Sequence, residues 1–341
     1  MKDVVVVIVV QYAATLSPSF FECVRSVIES GGRLLVVDQA STGEAVERIK
    51  ETIPSVTVIR NPRNTGFAAG ANQAVRFLLS SPHSSCETIV FLDARTVADP
   101  KTIGALVQTL RECRGVGMVG PKWLSLYEEH ALDESLHEQV ASDRVFSLGV
   151  VRHAGGPFTH AGFGQTDTEE GGAHEATALH YGLLAVHASA LGRIKLDDET
   201  YLDPWFLTTD VFIDAAWRFT RAGYGVECAR DIEVHWPCGV FTRSRRRSIF
   251  RQLHDRTERS ERALAIFNAL CLPLMHVSMW RLVMEIPAAA WNLFRWKLFL
   301  LVFDRASLAV FWGLPRHLGW ILRRRKALRA FDTKARDELE T

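Results

Sequence analysis

The run Phe91-Leu92-Asp93-Ala94-Arg95-Thr96 ends an apolar stretch with an acid, a small residue and a base. A carboxylate at Asp93 is an oxygen ligand suited to a hard divalent cation, and a second carboxylate two residues on would complete a holder for a metal-bound diphosphate. Arg95 stands there instead. A guanidinium repels the cation, yet it donates paired hydrogen bonds to phosphate oxygens. The plainer alternative is an exposed loop residue paired with Asp93 or Asp99. Further on, Asp210 and Asp214 are spaced to lie on one face of a helix, and a carboxylate so placed can take the proton of an attacking hydroxyl. Against this, Thr209 would cap the helix and Asp210 would only complement its dipole. His235 follows an apolar alternation in "DIEVHWPCG" and is either a ligand or a structural histidine.

The elements that must hold these residues follow a strand-then-helix rhythm. Apolar runs at 4–10, 34–37, 56–59, 89–92 and 116–119 alternate with helix-like segments at 20–28, 45–51, 68–79 and 101–113. Fully apolar strands between helices predict an α/β fold with a mostly parallel sheet covered on both faces. Ligands of such sheets sit beyond the carboxyl ends of the strands. Polar residues recur at those ends: Gln11 and Tyr12 after the first, Asp38 after the second, "RNPRNTGFAAGANQAV" after the third, Asp93 and Arg95 after the fourth. The first turn, "VVQYAATLSPSFF", has no glycine, which argues against a dinucleotide-binding fingerprint. In the third turn Gly66 supplies a positive φ, and Ala68 to Ala71 keep the helix start slim enough for a ligand to reach its free N–H groups; a tight connection with a small packing face is the alternative.

A chain of 341 residues is long enough for about two domains. With 40 basic and 39 acidic residues, no global charge argues for nucleic acid as a partner. The six cysteines are scattered without a C-x-x-C pair, which suits a reduced, cytosolic chain. The opening "MKDVVVVIVVQY" reads as a buried strand rather than a signal peptide.

The ordered set "VVIVVQY", "VVDQAST", "RNTGFAAGANQAV", "FLDARTVADP", "MVGPKWL", "YGLLAVHASAL", "YLDPWFLTTDVFIDAAWRFTRAGYGV" and "DIEVHWPCG" resembles family 2 glycosyltransferases of the GT-A fold. Within that family it is similar to the rhamnosyltransferase-like enzymes of bacterial cell-surface glycans. The resemblance implies that Gln11, Tyr12, Asp38, Asn64, Gly66, Asn72 and Asp93 bind the donor nucleotide. Asp93 matches the first acid of the family's D-x-D element, and Arg95 occupies the place of the second. Asp214 and Arg218 fit a later acid and arginine, but the family's adjacent acids fall on Val211 and Phe212. Asp210, one residue upstream, becomes the candidate base if the helix start has slipped by one position. His235 matches a late histidine near the diphosphate or metal, and residues 147–167 resemble an acceptor-side insertion.

The implied reaction is an inverting sugar transfer from a nucleoside-diphosphate sugar to a hydroxyl of a free or lipid-linked cell-surface glycan, with no organic cofactor. Arg95 argues against Mg²⁺ or Mn²⁺, for which Asp93 and His235 would otherwise be ligands, and it would serve the diphosphate in the ion's stead. The rival reading, from a different class, is a catalytically silent partner or scaffold at the membrane.

Residues 1–242 form the expected transferase domain, and 243–341 differ in character. "RSRRRSIFRQLHDRTERSER" is strongly basic, and residues 263–280 then lack any Asp, Glu, Lys or Arg. Five of the nine tryptophans, at 280, 291, 296, 312 and 320, lie in this tail. Tryptophan beside arginine and lysine suits helices lying in a membrane interface at the cytoplasmic face, with Trp296, Trp312 and residues 323–326 as anchors. The alternative is a soluble helical subdomain packed on the first domain or joining two copies.

Overall fold

Six valines and an isoleucine in succession make β1 (Val4–Val10), buried at every position but Val9. The computed structural model describes residues 1–11, 16, 18–42, 44–80, 85–130, 137–155, 158–168, 172–197, 199–206, 210–237 and 259–339. Two compact units result: Met1–Val150 with His160–Phe241, and Val151–Thr159 with Thr242–Thr341.

In the first unit β1 is followed by α1 (Pro18–Glu29), β2 (Arg33–Gln39), α2 (Ala45–Thr52), β3 (Thr57–Asn61), α3 (Phe67–Leu79) and β4 (Thr88–Leu92). Then come β5 (Val97–Ala98), α4 (Thr102–Glu112), β6 (Val116–His130) and β7 (His137–Ser147). Two short strands, β8 (Val150–Arg152) and β9 (Phe158–His160), pair with each other. The order continues through β10 (Ala173–Glu175), β11 (Leu183–His187), α5 (Ala188–Arg193), α6 (Asp210–Arg221) and β12 (Gly225–Pro237).

The main sheet runs β10-β12-β6-β11-β4-β1-β2-β3, with β5 added to β12 and β7 to β6. Strands β3, β2, β1 and β4 are mutually parallel, so their carboxyl ends share one edge. β11 enters antiparallel between β4 and β6, which brings its start, at Leu183, level with the end of β4 at Leu92. The α/β class and the strand–helix order expected from the sequence are therefore present. Strand β6 runs well past the expected 116–119, because its continuation pairs with β12 and β7.

The second unit is helical: α7 (Arg259–His276), α8 (Met279–Met284), α9 (Ile286–Phe303), a 3₁₀ turn (Arg305–Ala309) and α10 (Val310–Leu339). Arg325 of α10 donates from Nη1 to the carbonyls of Leu274 and Val277, both at 2.7 Å, satisfying acceptors that the end of α7 leaves open. The segment Val151–Thr159 belongs to this unit, so the stretch 147–167 that the sequence groups together is divided. Glu285 fastens the segment. Its two carboxylate oxygens each accept from Arg152 at 2.6 Å, and Oε2 also accepts the Gly155 N–H at 3.0 Å. Gly155 has φ 57°, and a Cβ there would lie 2.3 Å from the backbone nitrogen of Ala289, so only glycine fits against the start of α9.

Candidate functional site

The site is assembled at the shared carboxyl edge of β1 to β4. Gln11, next after β1, donates from Nε2 to Asn64 Oδ1 at 3.0 Å, and the same oxygen accepts the Gly66 N–H at 2.9 Å. Gly66 has φ 94°, which explains why glycine stands at the entry to α3. Gln39, fully buried at the end of β2, accepts from Thr65 N at 3.2 Å and Thr65 Oγ1 at 3.1 Å. These bonds fix the loop between β3 and α3 from two sides. Asp38 pairs in register with Val10 and with Arg60. Its Oδ1 accepts from Ser41 N at 2.9 Å and Ser41 Oγ at 2.6 Å, leaving it buried at 7 % exposure. Tyr12 and Thr209 lie outside the described residues.

Beyond β4, Asp93 and Arg95 form one unit. Asp93 N–H donates to Gly182 O at 2.8 Å, and Thr96 Oγ1 donates to the same carbonyl at 2.9 Å, so the turn is tied to the start of β11. Arg95 then donates to Asp93 twice, Nε to Oδ1 and Nη2 to Oδ2, both at 3.0 Å. Tyr181 Oη lies 2.6 Å from Nη2, and the Trp236 ring lies under the guanidinium at 4.8 Å. Burial works against the charge of Arg95, but the Asp93 carboxylate outweighs it and raises the pKa above the usual arginine value. The side chain remains half-exposed, and none of its described hydrogen bonds uses Nη1.

Tyr181 and Trp236 were not among the residues singled out by sequence. Their signal is topological: β11 starts, and β12 ends, at the edge where β4 ends. Behind them Trp123, His180 and Trp236 pack edge to face at 4.6 to 5.6 Å between ring centres. Burial, with smaller contributions from His160 and Arg95, holds His180 well below the usual histidine pKa. Burial lowers His160 to about 4.

The structure holds Asn72 and Asp214 in buried hydrogen bonds and sets His235 on the side of β12 away from Trp236. Asn72, expected beside the nucleotide, is 3 % exposed. It accepts from the backbone of Tyr201 and Leu202 at 2.9 and 2.8 Å and donates to Leu202 O at 2.7 Å. Its amide pairs with peptide groups that burial would otherwise leave without partners. Asp214, a candidate base, is 1 % exposed and receives Arg218 Nε at 2.9 Å; Arg218 also donates to Ile194 O and Tyr201 O. A carboxylate so enclosed ties α6 to the segment before it and does not meet a hydroxyl. Of the spaced pair, Asp210 is half-buried in the first turn of α6, whereas Asp214 is enclosed. His235 is turned to the face of β12 opposite Trp236 by strand alternation, and among the described residues it makes no hydrogen bond to Asp93 or Arg95. Burial holds it below the usual histidine pKa.

A hard divalent ion does not suit this donor set. Both Asp93 oxygens already accept from a guanidinium, and no group of three His, Cys, Asp or Glu side chains converges among the described residues. A cleft of about 450 Å³ beside α3 is lined by Asn72 together with Ala69, Arg76, Asp197, Glu199, Thr200 and Pro204; neither Arg95 nor Asp210 is among its lining residues.

Comparison with known proteins matches residues 5–124 to Glycosyl transferase family 2, about a third of the chain. No curated protein matches. Among solved structures, GalNAc-T7 with UDP, GalNAc and Mn²⁺ superposes with a TM-score of 0.52 at 15 % identity, over 70 % of this chain and 44 % of that one. This chain thus spans less than half the length of the GalNAc-T7 chain. TarS of S. aureus in complex with UDP gives a TM-score of 0.45 at 12 % identity, over 98 % of this chain and 91 % of that one. TarS 1–349 gives 0.42 at 10 %, with the same coverage. The TarS superpositions are too loose to add to the argument, and the GalNAc-T7 likeness speaks for the fold. Over residues 5–124, then, this chain carries the pattern of glycosyl transferase family 2, and the sheet built on that segment has the GT-A fold.

Proposed function

We propose that the first unit transfers a sugar, with inversion, from a nucleoside-diphosphate sugar to a hydroxyl of a cell-surface glycan of the kind built by rhamnosyltransferase-like enzymes. The observation that carries this reading is the fixed guanidinium of Arg95, whose Nη1 is free of described bonds at the edge where Gln11, Asp38 and Asn64 converge. The nucleoside lies along those three residues, and the diphosphate reaches Arg95. Because Asp93 and Arg95 together are nearly neutral, attraction comes from the near, positive end of the pair and from two directed hydrogen bonds rather than from net charge. Leaving-group charge is stabilised there without reorganisation, since Asp93, Tyr181 and Trp236 already hold the guanidinium. Asp210 takes the acceptor's proton as its oxygen attacks the anomeric carbon from the face opposite the diphosphate.

The test is a panel of nucleoside diphosphates, beginning with UDP because the GalNAc-T7 structure holds it, read by thermal shift in chelator and again with Mn²⁺. A ligand at 100 times its dissociation constant adds about 2.7 kcal/mol of stability. Stabilisation that persists in chelator and weakens at least ~10-fold in affinity in Arg95→Ala is expected. If no nucleoside diphosphate stabilises the chain, the transferase reading gives way to a silent scaffold. If stabilisation requires Mn²⁺, Arg95 does not do the ion's work.

A further inference from the structure

Residues 279–331 of the helical unit are rich in exposed apolar and cationic side chains and carry no exposed acid. Between residues 279 and 331 the only acids are Glu285 and Asp304, and both are buried, at 8 % and 9 % exposure. Glu285 is held by Arg152 and Arg281, and Asp304 accepts from Ser307 Oγ at 2.6 Å. Eight of the ten Lys and Arg side chains in the same stretch are exposed, among them Arg281, Arg295, Lys297 and Arg316. Large apolar side chains lie beside them: Met279, Trp280 and Met284 on α8, at 57 %, 73 % and 64 % exposure, and Trp291, Phe294 and Leu298 on α9, at 60 %, 57 % and 52 %. The α9 set recurs every three or four residues, which gathers it on one side of the helix. Soluble monomers rarely leave so many large apolar side chains open in one short stretch.

We propose that this stretch seats on an anionic phospholipid bilayer, with Trp280 and Trp291 at headgroup depth and the neighbouring cations on lipid phosphates. Charge decides the occupant. A second copy of the chain would set cations against cations with no exposed acid in the stretch to pair them, whereas an anionic leaflet complements every one. Helix α9 is only 18 residues long and carries Arg295 and Lys297. No helix among the described residues is long and apolar enough to cross a membrane, so the contact is with the surface. Trp296, expected from sequence as an anchor, is half-buried, and the side chain of Trp312 lies outside the description. The surface role passes to Trp280 and Trp291, and it does not depend on the sugar-transfer reading.

The experiment is co-sedimentation of the full chain with vesicles of about one-third phosphatidylglycerol, compared with pure phosphatidylcholine, across a salt series. Binding is expected to anionic vesicles at low salt and to fall as salt rises. The triple variant Trp280→Ser/Trp291→Ser/Phe294→Ser, and separately Arg295→Glu/Lys297→Glu, should each lower partitioning by ~10-fold or more. Wild-type tryptophan fluorescence quenched by lipids brominated near the headgroup gives an answer that needs no variant. The proposal is overturned by absence of binding at low salt, by absence of quenching, or by equal binding to neutral vesicles. Undiminished binding of both folded variants would move the contact elsewhere and overturn it too, as would a dimer that the variants dissociate without changing vesicle binding.

Discussion

Two carboxylates four residues apart on α6 have opposite fates, and the difference is measurable. Asp214 is closed in with Arg218, so Asp214→Asn leaves a buried guanidinium without its counter-charge. Losing one partner of such a pair costs about 3–5 kcal/mol, and chemical denaturation should show it. Asp210→Asn should lower turnover by ~10²-fold or more with donor affinity intact. Turnover that survives Asp210→Asn removes it as the base. The placement of Gln11, Asp38, Asn64 and Asp93 at one edge of the sheet could be anticipated because each comes soon after an apolar run in the sequence. Of the partners of Arg95, Asp93 was an expected one, but Tyr181 and Trp236 were not. Tyr181 lies 86 residues away, and its approach depends on β11 entering the sheet antiparallel, which no local pattern reports. The partners of Asn72 were hidden for the same reason, since the peptide groups it serves are 129 and 130 residues off.

At the scale of elements, the "YG" before β11 holds the site together. A Cβ on Gly182 would lie 2.5 Å from Trp123 Cη2 and 2.8 Å from Trp236 Cζ3. Gly182→Ala therefore has to move the ring that supports Arg95 and disturb the carbonyl that receives Asp93 N–H. Overpacking of this kind costs about 1–3 kcal/mol, and nucleotide affinity should fall with stability, as calorimetry of the variant would register. A variant as stable as wild type would show that the rings have room to yield. The same aromatic layer sets a pH response. His160 titrates at about 4 in the fold because its ring is desolvated between Phe146 and His180, against a usual 6.5. The unfolded chain takes up that proton first, so this contribution to stability is complete above pH 6.5 and is lost as pH falls towards 4. Melting temperatures across that range should decline less in His160→Phe. The strands were foreseeable where β-branched residues run together. The length of β6 was not, because its second half is set by pairing with β7 and β12 rather than by its own composition.

For the molecule as a whole, the helical tail is bound up with residues that precede it by more than a hundred positions. Arg152, Gly155 and Arg281 draw Glu285 down to about 2, first through the hydrogen bond from Arg152. Its usual value is 4.5, so this stabilisation is present above that pH and is lost between 4.5 and 2. The span corresponds to about 3 kcal/mol. Glu285→Gln should loosen the segment at any neutral pH. Amide exchange at 151–155 and 158–159 should then quicken ~10-fold or more while β1 and β4 stay protected. Exchange unchanged in that variant would mean that Asn292, whose Nδ2 donates to Gly155 O at 3.1 Å, and the packing of Gly155 against Ala289 suffice to hold it.

That fastening has a consequence for how the protein is made. Arg152 leaves the ribosome 133 residues ahead of Glu285. At roughly 5–20 residues per second, the short β8–β9 ribbon waits about 7 to 27 s before the acid that secures it has been synthesised. During that interval an arginine and an unsatisfied peptide group lie open on the nascent chain. A stalled or early-terminated message would release a product whose main sheet has every strand it needs, but whose ribbon never finds its anchor.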